Sequence, residues 1–367
     1  MLDKAARFLK DCKPEETLVV YHKGCGDGIA AAAILGKLFR KLTTGAVKRF
    51  VALGYEEDFE TFIKKMLALN AKNIIFADLS LDKYPELLVR LAKKFQVLMI
   101  DHHTLISDMN KSGILHIHPK FFSEIQGSKY CGAKLAYDIC SKITNMEDAS
   151  WLAATGIVHD VGGTQWKEFL DEVYKKFPAL KGGNDFYGFD STLGKLVSLI
   201  TASKVGVAKE IRTIRLCINT ENPSDILELK SETAKELNYW RNKFDKEIEN
   251  YVAGWERLGE VNEKLGLVML EIKSKLSVSS TISTILSLKN PDTLFCIYKQ
   301  KSRVVDISFR NQSARVNCAA LAAESTKGFE FGSGGGHPQA SGARVLKKDF
   351  EIFKEQLPKV VAKLLEK

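Results

Sequence analysis

The sequence predicts an α/β protein with a parallel-sheet N-terminal domain, a helical connector and a smaller α/β C-terminal domain. Three observations carry this. From residue 17 to about 105, short apolar runs alternate with helical patterns, as in βαβ units around a sheet buried on both faces. From about 130 to 260 the periodicity is mostly helical. After Gly259 strand-like alternation returns, followed by a glycine-rich segment and a terminal helix. A chain of 367 residues accommodates two domains and a connector. They are placed at 1–204, 205–260 and 261–367.

The elements follow in order. "MLDKAARFLKDCK" reads as an amphipathic helix. "TLVVYH" is an apolar strand leading into a helix through "GIAAAAILGKLFRKL". Then come the strand "VKRFVAL", a helix near "DFETFIKKMLAL", the strand "NIIFADLS", a helix near "YPELLVRLAKKF" and the strand "QVLMIDHH". "YCGAKLAYDICSKI" and "ASWLAATGIVHDVGG" are helical. The charged stretch "SDILELKSETAKELNYWRNKFDKEIENYVAGWERLG" suits long helices joining two lobes. Beyond it "LGLVMLEIK", "TLFCIYKQ" and "RVVDISFRNQ" read as strands, with "SVSSTISTILSLK" as a crossover helix.

Composition narrows the function classes. Hydrophobic residues make up 45% and charged residues 27%, the balance of a soluble globular protein. No apolar run is long enough to span a bilayer, and the first residues lack a signal peptide's apolar core. Seven cysteines, odd in number and never in a CxxC pair, argue against a disulfide framework or zinc ribbon. A reducing cytoplasm is therefore expected. The net charge of +9 points to a polyanionic partner, nucleic acid before anionic membrane. A solubilising lysine coat is the alternative.

Chemistry-bearing residues gather at strand ends. "YHKGCGDGIAAAAIL" places His22, Cys25 and Asp27 on a glycine-rich turn between a strand and a helix. "IIFADLS" ends in Asp78 and "LMIDHHT" in Asp101, His102 and His103. Ligands of such sheets bind beyond the carboxyl ends of the strands, so these residues should open onto one rim. Taken singly, the first stretch also reads as a plain turn and Asp78 as a helix cap. Two adjacent histidines after an aspartate are harder to satisfy in an apolar core. A carboxylate beside them can hold the second ring nitrogen of a ligating imidazole. "GIVHDVGG" adds Asp160, which alone could mark a glycine-capped helix end. Carboxylates and imidazoles without CxxC suit Mn²⁺ or Mg²⁺. Two such ions would hold a phosphate and lower the pKa of a water at neutral pH.

These four stretches resemble, in order and spacing, the four motifs of the DHH phosphoesterase superfamily. "ISFR" followed by "GSGGGHPQASG" resembles the DHH-associated C-terminal domain. The resemblance covers nearly the whole chain. It implies His22 and Asp27 as first-motif metal ligands, Asp78 as a carboxylate bridging two ions, and His102 and Asp160 as further ligands. It implies His103 as a substrate-phosphate contact and Asp101 as the group orienting an imidazole, both part of the catalytic machinery. Gly334, Gly335, Gly336 and His337 correspond to a phosphate clamp, and Arg310 to an arginine on the substrate. His159 is read as a neighbour of the site, and His116 and His118 as structural. Many members carry a second carboxylate where Cys25 stands. Its thiol is either a metal ligand or a small spacer.

The superfamily also suggests what the chain hydrolyses. Family II pyrophosphatases lack the GGGH segment, and its cyclic-dinucleotide phosphodiesterases usually add membrane or sensor domains. The expectation is a RecJ-like exonuclease using two Mn²⁺ or Mg²⁺ ions on single-stranded DNA or RNA or on short oligonucleotides. Replication or repair proteins are its expected partners. A nanoRNase that also dephosphorylates adenosine 3′,5′-bisphosphate is one alternative. A non-catalytic Cdc45-like replication scaffold is the other.

Overall fold

The computed structural model describes residues 1–43, 47, 49–55, 57–330 and 332–366. They divide into two compact units, Met1–Arg241 and Asn242–Lys367. The division falls inside a single helix, Glu232–Leu258. Within the stretch expected as a connector, Val207–Asn219 packs on the Gly26–Leu42 helix of the first unit. Among the described residues no helix is long and apolar enough to cross a membrane.

The first unit holds strands β1 (Thr17–His22), β2 (Arg49–Leu53), β3 (Asn73–Ala77), β4 (Gln96–Ile100) and β5 (Leu115–Ile117). They form one sheet in the order β2-β1-β3-β4-β5, parallel throughout. Side chains alternate between the faces of a pleated strand, and here both faces are apolar. Val19, Tyr21, Ile75, Ala77, Leu98 and Ile100 enter one core with the Gly26–Leu42, Gly132–Ser141 and Ser150–His159 helices. Leu18, Val20, Ile74, Phe76, Val97 and Met99 enter a second core with the Phe59–Leu67 and Pro85–Ala92 helices. The Phe59 helix starts at Asp58, whose side chain accepts the Thr61 N–H at 2.8 Å as an N-cap.

The second unit holds β6 (Glu260–Asn262), β7 (Leu267–Glu271), β8 (Leu294–Gln300), β9 (Val304–Arg310), β10 (Ser333–His337) and β11 (Ala340–Leu346). The order is β10-β11-β9-β8-β7-β6, and only β7 and β8 run parallel. Ser279–Lys289 is the crossover helix between those two, as the sequence predicts. Strands β7, β8, β9 and β11 bury one face against Leu321, Phe350, Phe353 and Leu357.

Candidate metal centre

The register of the first sheet gathers the polar strand ends. Tyr21 pairs with Ala77, Ala77 with Ile100, and Ile100 with Ile117. The next residues along the four strands are His22, Asp78, Asp101 and His118. They form one row at the carboxyl edge, where open parallel sheets take ligands. After β1 the chain turns at Gly24, whose φ of +74° favours glycine, and Asp27 enters on the first turn of the following helix.

Asp78 is the centre of the arrangement. It is buried, in the left-handed region at φ +61°. One carboxylate oxygen lies 3.2 Å from His102 Nε2 and the other 3.3 Å from His22 Nδ1. Two groups of donor atoms lie close enough to hold a cation, each within 4.8 Å of one another: His22, Asp78 and His103, and Asp27, Asp78 and His102. Asp78 belongs to both. Asp27 is fixed by accepting the N–H groups of Gly132 and Ala133, at 2.7 and 2.8 Å, from the start of a helix. A Cβ at Gly156 would stand 2.3 Å from an Asp27 oxygen, so glycine there makes room for the carboxylate. Asp160 turns one oxygen to within 3.3 Å of His102 Nε2.

A second layer of hydrogen bonds aims these side chains. His102 Nδ1–H donates to the Gly127 carbonyl at 3.2 Å, leaving Nε2 to face the carboxylates. His103 Nδ1 pairs with Asp101 at 2.7 Å. Gly26 N–H donates to His159 Nε2 at 3.2 Å, so His159 carries its proton on Nδ1 and donates it to Asp160 at 2.9 Å. His118 accepts the Lys120 N–H on Nδ1 at 3.2 Å and donates from Nε2 to the His103 carbonyl at 2.7 Å. Buried Glu210 accepts from the Tyr21 hydroxyl and the Gly24 N–H, both at 3.0 Å. Sequence reasoning read His118 only as structural and missed Glu210. His118 follows a strand too short to notice, and Glu210 lies in the expected connector.

No protein-family model matches this sequence, and no curated protein matches it. Solved structures do. A RecJ from Thermus thermophilus, solved with Mn²⁺, superposes with a TM-score of 0.74 at 16% identity, over 99% of this chain and 55% of that one. An exonuclease RecJ bound to manganese gives 0.72 at 17% identity, over 98% and 94%. The chain has the RecJ fold. Cdc45 from Entamoeba histolytica also matches, with a TM-score of 0.62 at 9% identity over 98% of both chains. This chain spans little more than half the length of the Thermus RecJ.

Buried carboxylates and imidazoles set the electrostatics of this cluster. Burial raises the Asp78 carboxyl, but hydrogen bonds and charge from His102 and His22 outweigh it and hold the group well below the usual carboxylate range. His103 does the same for buried Asp101. Asp27 is pushed up to about 7 by burial and by the charges of Asp78 and Asp160. Burial lowers His102, yet Asp78, Asp27 and Asp160 together raise it to about 10. Three buried atoms at this spot make no well-aligned hydrogen bond: His22 Nδ1 and one oxygen of Asp78, which face each other at 3.3 Å, and one oxygen of Asp160. Unsatisfied buried acceptors are costly, and a divalent cation held between His22 and Asp78 would satisfy the first two. Oxygen and imidazole donors suit Mn²⁺ or Mg²⁺. The residues therefore fit the metal that the sequence implies.

Cys25 stands outside both groups of donors. It occupies the N-cap of the Gly26 helix, with Sγ 3.9 Å from His159 Nδ1. Burial and the charges of Asp78, Asp27 and Asp160 raise its thiol well above the ordinary value, which keeps it protonated. Cys25→Ser is therefore expected to leave Mn²⁺ affinity, measured by titration calorimetry, nearly unchanged. A loss of about tenfold or more, the scale of disturbed ligation, would make the thiol a ligand.

In the second unit Arg310 ends β9, and its Nη1 donates to the carbonyls of Phe309 and Ser341 at 2.9 and 3.2 Å. The glycine run that the resemblance implies as a clamp forms a strand. Gly334, Gly335, Gly336 and His337 lie on β10, an edge strand paired with β11. With almost no side chains to pattern it, this strand is specified by its partner. The side chain of His337 lies outside the described set.

Proposed function

We propose that this chain is a metal-dependent phosphodiesterase, a RecJ-like exonuclease acting on single-stranded nucleic acid or short oligonucleotides. The observation that supports it is Asp78, shared by two cation-sized groups at the carboxyl edge of a RecJ-fold sheet. Two bound Mn²⁺ or Mg²⁺ ions would neutralise phosphate charge and lower the pKa of a water nucleophile. His22, Asp27, Asp78, His102 and Asp160 would hold them. Burial lowers the His103 pKa, but Asp101 raises it above the ordinary value, so the ring can offer an N–H to a phosphate oxygen. The net charge of +9 favours an oligomeric anion over a mononucleotide. End-labelled single-stranded DNA and RNA, from long strands to dimers, incubated with Mn²⁺ and resolved on a gel, test the reading. Absence of shortened products from every strand would overturn it.

The likeness to Entamoeba Cdc45 supports a second reading, a replication scaffold without catalysis. Metal-dependent turnover separates the two.

The clamp of the second unit should position substrate rather than act on water. The outward N–H groups of its edge strand, β10, and Arg310 suit phosphate recognition. Arg310→Ala and His337→Ala are expected to impair oligonucleotide cleavage and to leave Mn²⁺ affinity intact. The loss should be smaller on a nitrophenyl phosphodiester that cannot use the clamp. Equal losses on both substrates would place these residues in the chemical step.

A further inference from the structure

The rim of the metal centre carries an aromatic and cationic strip that none of the roles above uses. Tyr55, in the loop after β2, sets its ring against two candidate ligands, with centroids 4.8 Å from His22 and 6.2 Å from His103. Its hydroxyl is engaged, accepting the Ser80 N–H at 2.9 Å. The residue is nonetheless 44% exposed. The Lys83 ammonium stands 5.0 Å from the centroid of this ring and 5.1 Å from that of Tyr84, which is 38% exposed. One exposed aromatic would be ordinary. Two that flank a single cation, beginning at the donors of a metal centre, repeat the base–phosphate–base order of a single strand. Bases stack on exposed rings, and an ammonium meets the phosphate between them.

We infer that Tyr55, Lys83 and Tyr84 form a nucleoside-binding subsite. Tyr55 takes the base beside the scissile phosphate, Lys83 the next phosphate and Tyr84 the following base. This rests on the single-stranded nucleic acid reading above, and it adds the direction in which the strand leaves the centre. It runs past His22 and Tyr55 towards Lys83 and Tyr84, which lie between β3 and the Pro85–Ala92 helix. Every base has a face to stack, so the subsite grips a strand without reading its sequence.

The test compares tetranucleotides that differ only in one abasic unit, placed at each position in turn, with Mn²⁺ present. Wild-type protein is expected to show a KM about tenfold higher where the abasic unit falls on Tyr55. Tyr55→Ala should erase that ratio. Tyr55→Phe keeps the ring and loses only the bond to Ser80, so it should preserve the ratio. A purely structural tyrosine would weaken all the substrates alike. A second readout needs no turnover: in Ca²⁺, a strand carrying 5-iodouracil should photocrosslink to Tyr55 or Tyr84, identified by mass spectrometry. Hydrolysis with an unchanged ratio in Tyr55→Ala and crosslinks elsewhere would overturn the subsite and leave the exonuclease. Crosslinks on Tyr55 without hydrolysis of any strand would do the reverse.

Discussion

Asp78→Asn is expected to abolish hydrolysis of single-stranded substrates by several orders of magnitude while the protein stays folded. The side chain belongs to both cation-sized groups and touches both His22 and His102. An amide of the same shape keeps only one acceptor oxygen and no charge, so both groups lose their common member at once. Asparagine is the right replacement because the backbone here is left-handed, at φ +61°. Asn enters that region readily, whereas Ala would add strain unrelated to chemistry. Circular dichroism should match wild type, and single-turnover assays in Mn²⁺ should show the loss. A decrease of less than about tenfold would return Asp78 to a role in capping its turn.

The parts of this site that the sequence revealed are those where an apolar run stops abruptly at a polar residue. His22, Asp78 and Asp101 each follow a buried strand, and a parallel register sets them side by side without further information. The sequence revealed less where pairing or distance decides. Strand β5 is three residues long with His116 at its middle, so neither length nor apolar content announced it. Yet it completes the row and brings His118 to the carbonyl of His103. The grip of Gly132 and Ala133 on Asp27 joins residues more than a hundred positions apart, with no local signature. Glu210 sits on a charged, periodic helix, where one buried glutamate looks like its solvated neighbours until Tyr21 and Gly24 are placed against it. In each case the missing information is which backbone donor or partner strand arrives from elsewhere in the chain.

Exhaustive chelation is expected to stop hydrolysis completely, and Mn²⁺ to restore it. The same ion should raise the melting temperature, because it binds the folded centre and not the unfolded chain. At a hundredfold excess over Kd that is worth about 2.7 kcal/mol. The stabilisation should grow between pH 6 and 8. In the metal-free protein Asp27 titrates near 7 instead of 3.8, and His102 near 10 instead of 6.5. Both pKa values are raised, so the folded state holds more protons than the unfolded one across these intervals. Metal-free stability is therefore highest at mildly acidic pH and falls as pH rises through about 7 and then about 10. Cation binding needs the Asp27 carboxylate ionised and His102 Nε2 free, so it displaces those protons and gains affinity as pH rises. Lowered Asp78 and Asp101 act only at the acid end, where stability is lost as they protonate. Melting curves with and without Mn²⁺ should thus diverge from pH 6 to pH 8. A gap that narrows over that range would mean that Asp27 and His102 do not hold the ion, and full activity after chelation would sink the metal mechanism itself.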